Sequence, residues 1–172
     1  MLEAIVAVYR DWGIGADGTQ PVTLRADRAH FRAVTRGAAV IVGRKTLADF
    51  PGGRPLPGRV NLVLSRSARP IEGATLVHSV EEALAEAARY PRCLVIGGAS
   101  VYRALLPHID RVYLTKIDIC PHSDAFFPDL DADPDFCLSE EGPEQEEDGV
   151  HFRFLTYTRK RAADDGTSVR TK

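Results

Sequence analysis

The sequence predicts an α/β fold, with a mostly parallel sheet flanked by helices and an antiparallel hairpin at its C-terminal edge. Three observations carry this. Strand-like apolar runs alternate with helical patterns through the first two thirds of the chain, the order of parallel βαβ units. One of those runs, Ala38 to Val42, is continuously apolar, and Val60 to Leu64 is apolar but for Asn61, as strands covered on both faces are. The last two β segments, Phe136 to Glu141 and His151 to Thr158, have no helix between them, so they pair as a hairpin.

Each element has a local reason. Glu3 to Tyr9 alternates and is partly β-branched and reads as a central first strand. Arg10 to Val22 is a long loop containing Gly13, Gly15, Gly18 and Pro21. Thr23 is placed to cap a helix running to about Arg36. Gly43 to Phe50 reads as a short helix after the strand at 38–42, and the Pro/Gly-rich stretch 51–58 as turns. Thr75 to His78 is a further strand. Ser79 with Glu82 forms a capping box that opens a helix to about Tyr90. Cys93 to Ile96 is a strand running into Gly97-Gly98, Ser100 to Leu106 a helix closed by Pro107, and Arg111 to Ile117 a strand. The acidic stretch Gly142 to Gly149 joins the final hairpin. Residues 160–172 carry almost nothing apolar and are expected to be a disordered tail on a domain spanning 1–159.

Composition narrows the function. A chain of 172 residues, 44% hydrophobic, holds one domain with a sizeable core. The 22 basic and 24 acidic residues give a net charge of −2. No field draws in nucleic acid, and no basic stripe with interleaved aromatics is present. No apolar run approaches the roughly 20 residues a spanning helix needs, and the N-terminus lacks the basic start of a signal peptide. Cys93, Cys120 and Cys137 are odd in number and far apart, with neither a disulfide framework nor metal spacing. The expectation is a cytoplasmic protein without metal, membrane or nucleic-acid partner.

Five constellations stand out. Gly13-Ile14-Gly15-Ala16-Asp17-Gly18 matches GxGxxG, yet it neither follows a strand directly nor opens a helix. It reads as a flexible loop over a site, or as a surface turn, rather than as a dinucleotide fingerprint. Asp27 lies on the stripe of Leu24, Phe31 and Val34. A carboxylate on an apolar face is a site candidate with a raised pKa; the alternative is a first-turn acid favoured by the helix dipole. Ile96-Gly97-Gly98-Ala99-Ser100-Val101-Tyr102 runs from a strand through two glycines into a helix, either an anion site or a tight turn. Gly43-Arg44-Lys45-Thr46 and Ser65-Arg66-Ser67 stand at strand carboxyl ends. They could take a phosphate monoester or be solvated charge. Arg59 either pairs a substrate carboxylate or sits on the surface.

Together these segments resemble the dihydrofolate reductase family across 2–159. The matching pieces are Ile14-Gly15, Leu24-x-x-Asp27-x-x-x-Phe31, Val42-Gly43-Arg44-Lys45-Thr46, Arg54-Pro55-Leu56-Pro57-Gly58-Arg59-x-Asn61, Val95-Ile96-Gly97-Gly98-x-x-Val101-Tyr102, Leu114-Thr115-x-Ile117-Asp118 and Phe127-Pro128. The resemblance implies a mixed eight-stranded sheet and a monomeric enzyme. It implies reduction of 7,8-dihydrofolate to tetrahydrofolate with NADPH, by hydride transfer to pterin C6 and protonation at N5. By that resemblance Asp27 is the acid of the pterin pocket and Thr115 bonds the same pterin edge. Ile5, Ala7, Phe31, Phe50 and Leu56 line the substrate, and Arg59 meets the glutamate α-carboxylate. The cofactor would be held by Ala7, Ile14, Gly15, Gly43, Arg44, Lys45, Thr46, Leu64, Ser65, Arg66, Ile96, Gly97, Gly98, Ala99, Ser100, Val101 and Tyr102. The diglycine is expected to be cis, and 10–23 to be a mobile lid.

The chain departs from the family pattern at four places. Val22 stands where most members carry tryptophan, and Gln20 where a large apolar lid residue is common. Ala99 and Ser100 replace a frequent glycine and basic residue, and 50–53 is slightly longer than the compact form. Two other readings stay in view: a pyrimidine reductase of riboflavin synthesis on the same fold, and a pterin- or nucleotide-binding protein without turnover.

Overall fold

The computed structural model describes residues 1–160. The expected tail, apart from Lys160, lies outside them. The chain builds strands β1 (Leu2–Val8), β2 (Gly13–Gly15), β3 (Ala39–Gly43), β4 (Val60–Leu64), β5 (Ala74–Val77), β6 (Cys93–Gly97), β7 (Ile109–Ile117), β8 (Ala125–Phe126), β9 (Phe136–Glu141), β10 (Gln145–Glu147) and β11 (Val150–Arg159). Its helices are α1 (Arg25–Thr35), α2 (Arg44–Ala48), α3 (Val80–Ala87) and α4 (Ala99–Leu105).

The main sheet runs β11-β7-β1-β6-β3-β4-β5, and β9 and β10 share the outer edge of β11. It is therefore eight positions wide. All pairs from β7 to β5 are parallel, and the pairs made by β11 are antiparallel. Both faces are covered. Val40, Val42, Val63, Leu94 and Ile96 pack on one side with Phe31 and Val34 of α1. Ala39, Ile41, Leu62 and Val95 pack on the other with Leu105 of α4. This is why β3 and β6 read as unbroken apolar runs. Each fully buried Val, Leu or Ile contributes about 1.5–3 kcal/mol.

One strand junction shapes the site. β1 pairs with β6 only from Leu2↔Cys93 to Ala4↔Val95, whereas its pairing with β7 continues to Val8. Beyond Ala4 the sheet splits and a cleft opens between β1 and β6. Two carbonyls along the parted β1 find side chains instead. The Tyr102 hydroxyl donates to Ile5 O at 2.7 Å, and the Gln20 amide donates to Ala7 O at 3.1 Å. Buried backbone acceptors need such partners.

Three local expectations change. Thr23 does not cap α1; its hydroxyl accepts from the Arg28 guanidinium at 2.9 Å. Leu24 is the cap residue and lends no side-chain bond, so the first helical N–H groups go to Glu147. The acidic stretch is not a bare loop but contains β10. The glycine loop contains β2, which pairs with β8. The capping box of α3 does form: Ser79 Oγ accepts from Glu82 N at 3.0 Å. Its glutamate, however, reaches back to His78 N at 3.2 Å.

Candidate active site

The cleft in the split sheet has a volume of about 350 Å3. Of the residues expected to bind ligands, it gathers Ile5, Ala7, Ile14, Gly15, Asp27, Phe31, Thr46, Phe50, Ile96, Gly97, Gly98, Ala99 and Tyr102. These come from β1, the glycine loop, α1, α2, β6 and α4. No linear motif could group them; the sheet does.

Asp27 is the only acid of α1 in this cleft, one turn before Phe31. The Thr115 hydroxyl, from β7, donates to its Oδ1 at 2.6 Å. Burial pushes the Asp27 carboxyl above its ordinary value, against the opposing pull of that hydrogen bond and of nearby His30 and Arg28. His30 stacks on Phe154 with ring centroids 4.2 Å apart. Its own pKa is lowered, because burial outweighs the attraction of Asp27.

On the opposite wall, β6 ends in the Gly97-Gly98 bond, which is cis as expected. Gly97 has φ +127°, a region closed to most side chains. A Cβ on Gly98 would stand 2.7 Å from Thr46 Oγ1, and one on Gly43 3.1 Å from Val101 Cγ2. The two chain segments approach closely here, with Gly97 O and Gly98 N 3.8 and 3.9 Å from the Gly43 Cβ position, so side chains at these glycines would fill the wall of the cleft. Val101 and Tyr102 sit in the core, and Tyr102 packs edge-on against Phe127.

The basic rim forms at neighbouring strand ends. Arg44 Nε donates to Ser65 Oγ at 2.9 Å, and its other arm to the Arg69 carbonyl. Arg66 is exposed beside them, Leu64 and Ser65 half-buried, and His78 Nδ1 lies 2.8 Å from Ser65 O. Lys45 and Ser100 are outside the cleft lining and exposed.

Leu56 and Arg59 line a separate depression formed by 53–61 and 71–73. Asn61 shapes that turn, accepting from Leu56 N at 3.0 Å and donating to Leu56 O and Arg59 O. Arg59 leans on α1, donating to Thr35 Oγ1 at 3.1 Å. Burial and the adjacent Arg36 and Arg32 lower its pKa. It makes no ion pair among the described residues.

Sequence reasoning missed Val6, Asp49, Asp124 and Ala125, which also line the cleft, and placed Gly18 and Thr19 there only as part of the loop over it. Gln20, noted only as a departure, lines it too. Ala16-Asp17-Gly18-Thr19 is a tight hairpin, with φ +53° at Asp17 and +80° at Gly18, and the Asp-Gly pair was its signal. The loop is docked from afar: Asp124 Oδ2 accepts from Asp17 N at 3.0 Å, and Asp124 N donates to Gly15 O at 2.9 Å. The Tyr9 hydroxyl holds Val22 through both its N–H and its carbonyl, at 3.0 and 3.1 Å. Among the described residues no His, Cys, Asp or Glu cluster could hold a metal ion. None of their helices is long and apolar enough to cross a membrane.

The family model "Dihydrofolate reductase" matches residues 1–159. The dihydrofolate reductase of Bacillus subtilis is 35% identical over 96% of this chain and 99% of its own length. That of Haemophilus influenzae is 38% identical over 91% and 97%. Among solved structures, a dihydrofolate reductase from Enterococcus faecalis complexed with NADP(H) and RAB-propyl superposes with a TM-score of 0.86. It shares 32% identity and covers 94% of this chain and 97% of that one. Fold, cleft and matches together define an α/β oxidoreductase. The chain belongs to the dihydrofolate reductase family, which decides between the folate and pyrimidine readings in favour of folate.

Proposed function

We propose that this chain reduces 7,8-dihydrofolate to tetrahydrofolate with NADPH, and that Asp27 is its catalytic acid. The carrying observation is Asp27, desolvated in an apolar cleft and fixed by Thr115. When bound, NADPH supplies the hydride. Its fit rests on the Gly97-Gly98 and Gly43 cradle, which side chains would fill, and on Arg44 with Ser65 and Arg66 at the rim. Lys45, Thr46, Leu64, Ala99, Ser100, Val101, Tyr102, Ile14, Gly15, Ala7 and Ile96 complete that wall.

The residues divide the work. Asp27 binds the amidine-like edge of the pterin and favours the proton at N5. The raised pKa keeps a proton available closer to neutral pH than an exposed carboxylate would. Thr115 holds the carboxylate against the same edge. Ile5, Ala7, Phe31 and Phe50 exclude water around the ring, and Leu56 and Arg59 receive the benzoyl-glutamate end. The glycine hairpin at 13–19 closes over the reactants.

The cleft is complete within one chain, which supports action as a monomer. The three scattered free cysteines support a reducing cytoplasm. The near-neutral charge gives no reason for a nucleic-acid or membrane partner. We take 1–159 as the catalytic domain and 160–172 as a tail outside it.

The test is oxidation of NADPH in the presence of dihydrofolate, followed by absorbance. Wild type should turn over saturably. Asp27→Asn should lose a factor of about 10² to 10⁴ near neutral pH and regain rate in acid, where the substrate arrives protonated. A wild-type rate for Asp27→Asn at pH 7 would overturn the assignment.

A further inference from the structure

We propose that Glu147 of the C-terminal hairpin is a positioning residue for Asp27, holding the first turn of α1 in its working place from 122 residues away. The inference rests on the reading of Asp27 as the catalytic acid.

A helix begins with unsatisfied N–H groups, and α1 has no cap of its own. Glu147 supplies acceptors for two of these groups. Its Oε2 accepts from Arg25 N at 2.7 Å and its Oε1 from Ala26 N at 3.0 Å. The Arg25 Nε lies 3.5 Å from Oε2, and the Glu147 side chain is only 14% exposed, against 79% for Asp148 beside it. A carboxylate at a helix N-terminus also meets the positive end of the dipole. The two N–H donors immediately precede Asp27 in the chain.

The platform under Glu147 is a paired hairpin. Glu147 pairs with Val150 across the Asp148-Gly149 turn, where φ is +51° and +83°, the conformation that suits a two-residue hairpin. β10 pairs with β11, and β11 pairs with β7 in the register Phe154↔Thr115. The cap and the hydroxyl on Asp27 are thus both referenced to the same stretch of sheet. One fixes where α1 starts, and the other where its carboxylate ends.

The charged groups are few. Asp27 is faced by Arg28 and His30 on its own helix, by Thr115 of β7 and by the Tyr102 hydroxyl of α4, and Asp49 lines the same cleft. Glu147 is faced by Arg25 and Arg28, with Asp148 adjacent. If the first turn frays, water reaches Asp27 and its burial-raised pKa falls toward the ordinary carboxylate value. Hydride transfer that needs the protonated acid then declines at lower pH.

The experiment measures single-turnover hydride transfer against pH in the full chain, for wild type, Glu147→Ala, Arg25→Pro and Arg25→Pro with Glu147→Ala. Proline at the first helical position removes one of the two N–H groups Glu147 serves and presets the helical φ. Leu24 already has the extended conformation that proline requires before it. Glu147→Ala should move the midpoint down by about half to one unit and slow the step roughly three- to tenfold above it, with the KM for NADPH unchanged. The double variant should return toward wild type, as should Arg25→Pro alone.

A wild-type profile for Glu147→Ala, with or without a lower Tm, overturns the proposal and leaves Glu147 a structural cap only. A profile that stays shifted in the double variant also overturns it, because a restored helix start then fails to restore the acid, and so does an upward shift in Arg25→Pro alone, because charge rather than position then explains the change. If Glu147→Ala does not fold, Glu147→Gln takes its place. Its amide oxygen still accepts one N–H, so a smaller downward shift supports the proposal and none overturns it. Failure of the Asp27 reading would show separately, as a wild-type profile in Asp27→Asn.

Discussion

At the scale of the residue, two opposed influences act on Asp27. Burial raises its pKa, and the hydrogen bond donated by Thr115 lowers it, with burial the larger. Thr115→Val removes the second and leaves the first, so the folded pKa must rise further. On the proposed role of Asp27, hydride transfer is fastest where Asp27 is protonated and slows as pH rises through its folded pKa. The fall should therefore begin at higher pH in Thr115→Val. Stopped-flow rates between pH 5 and 9 check this; a fall moved to lower pH would mean that the hydroxyl does not stabilise the carboxylate. Asp27 was legible in the sequence because a charge on an apolar stripe contradicts its surroundings. Thr115 was legible only through the family resemblance, because a threonine on a strand is ordinary by itself. Only the pairing of β7 beside β1, with α1 crossing above, brings it within 2.6 Å of an acid 88 residues away.

At the scale of the element, the regular pieces declared themselves through local chemistry. The central strands β3 and β6 are unbroken apolar runs, and Ser79 with Glu82 marks the start of α3. What stayed hidden was long-range docking. The cap on α1 comes from Glu147, and the glycine hairpin is held by Asp124; neither has a periodic signature. The turn carrying Arg59 lies between these cases, since Asn61 shapes it locally while Arg59 anchors to α1 through Thr35. Arg59 sits among Arg32 and Arg36 with no carboxylate partner among the described residues, so an incoming carboxylate relieves like-charge repulsion as well as forming a charged hydrogen bond. Arg59→Ala should cost about 1.5–3 kcal/mol in dihydrofolate binding, roughly ten- to a hundredfold in Kd. A pteridine lacking the glutamate should bind both proteins alike. Equal weakening of the two ligands in a fluorescence titration would contradict the contact.

At the scale of the whole molecule, the parallel order sends the carboxyl ends of β1, β3, β4 and β6 to one edge, and the early end of β1–β6 pairing opens that edge into a cleft. The site therefore exists only in the folded state, and a ligand that fills it must stabilise the entire domain. Saturation at a hundred times Kd adds about 2.7 kcal/mol. For a chain of this size each kcal/mol moves Tm by about 2–4 °C, so NADPH at that excess should raise Tm by about 5–11 °C. Arg44 and Arg66 flank Ser65 at the ends of β3 and β4, where a 2′-phosphate would find guanidinium donors and a hydroxyl. Replacing both by Ala removes charge without disturbing the core, since Arg66 is exposed and Arg44 stands at the rim. The double variant should lose most of the NADPH-induced rise at a fixed cofactor concentration and keep the smaller rise given by NADH. If both rises shrink together, those arginines support the fold of the rim rather than the extra phosphate, and the discrimination between the two cofactors lies elsewhere along the cleft.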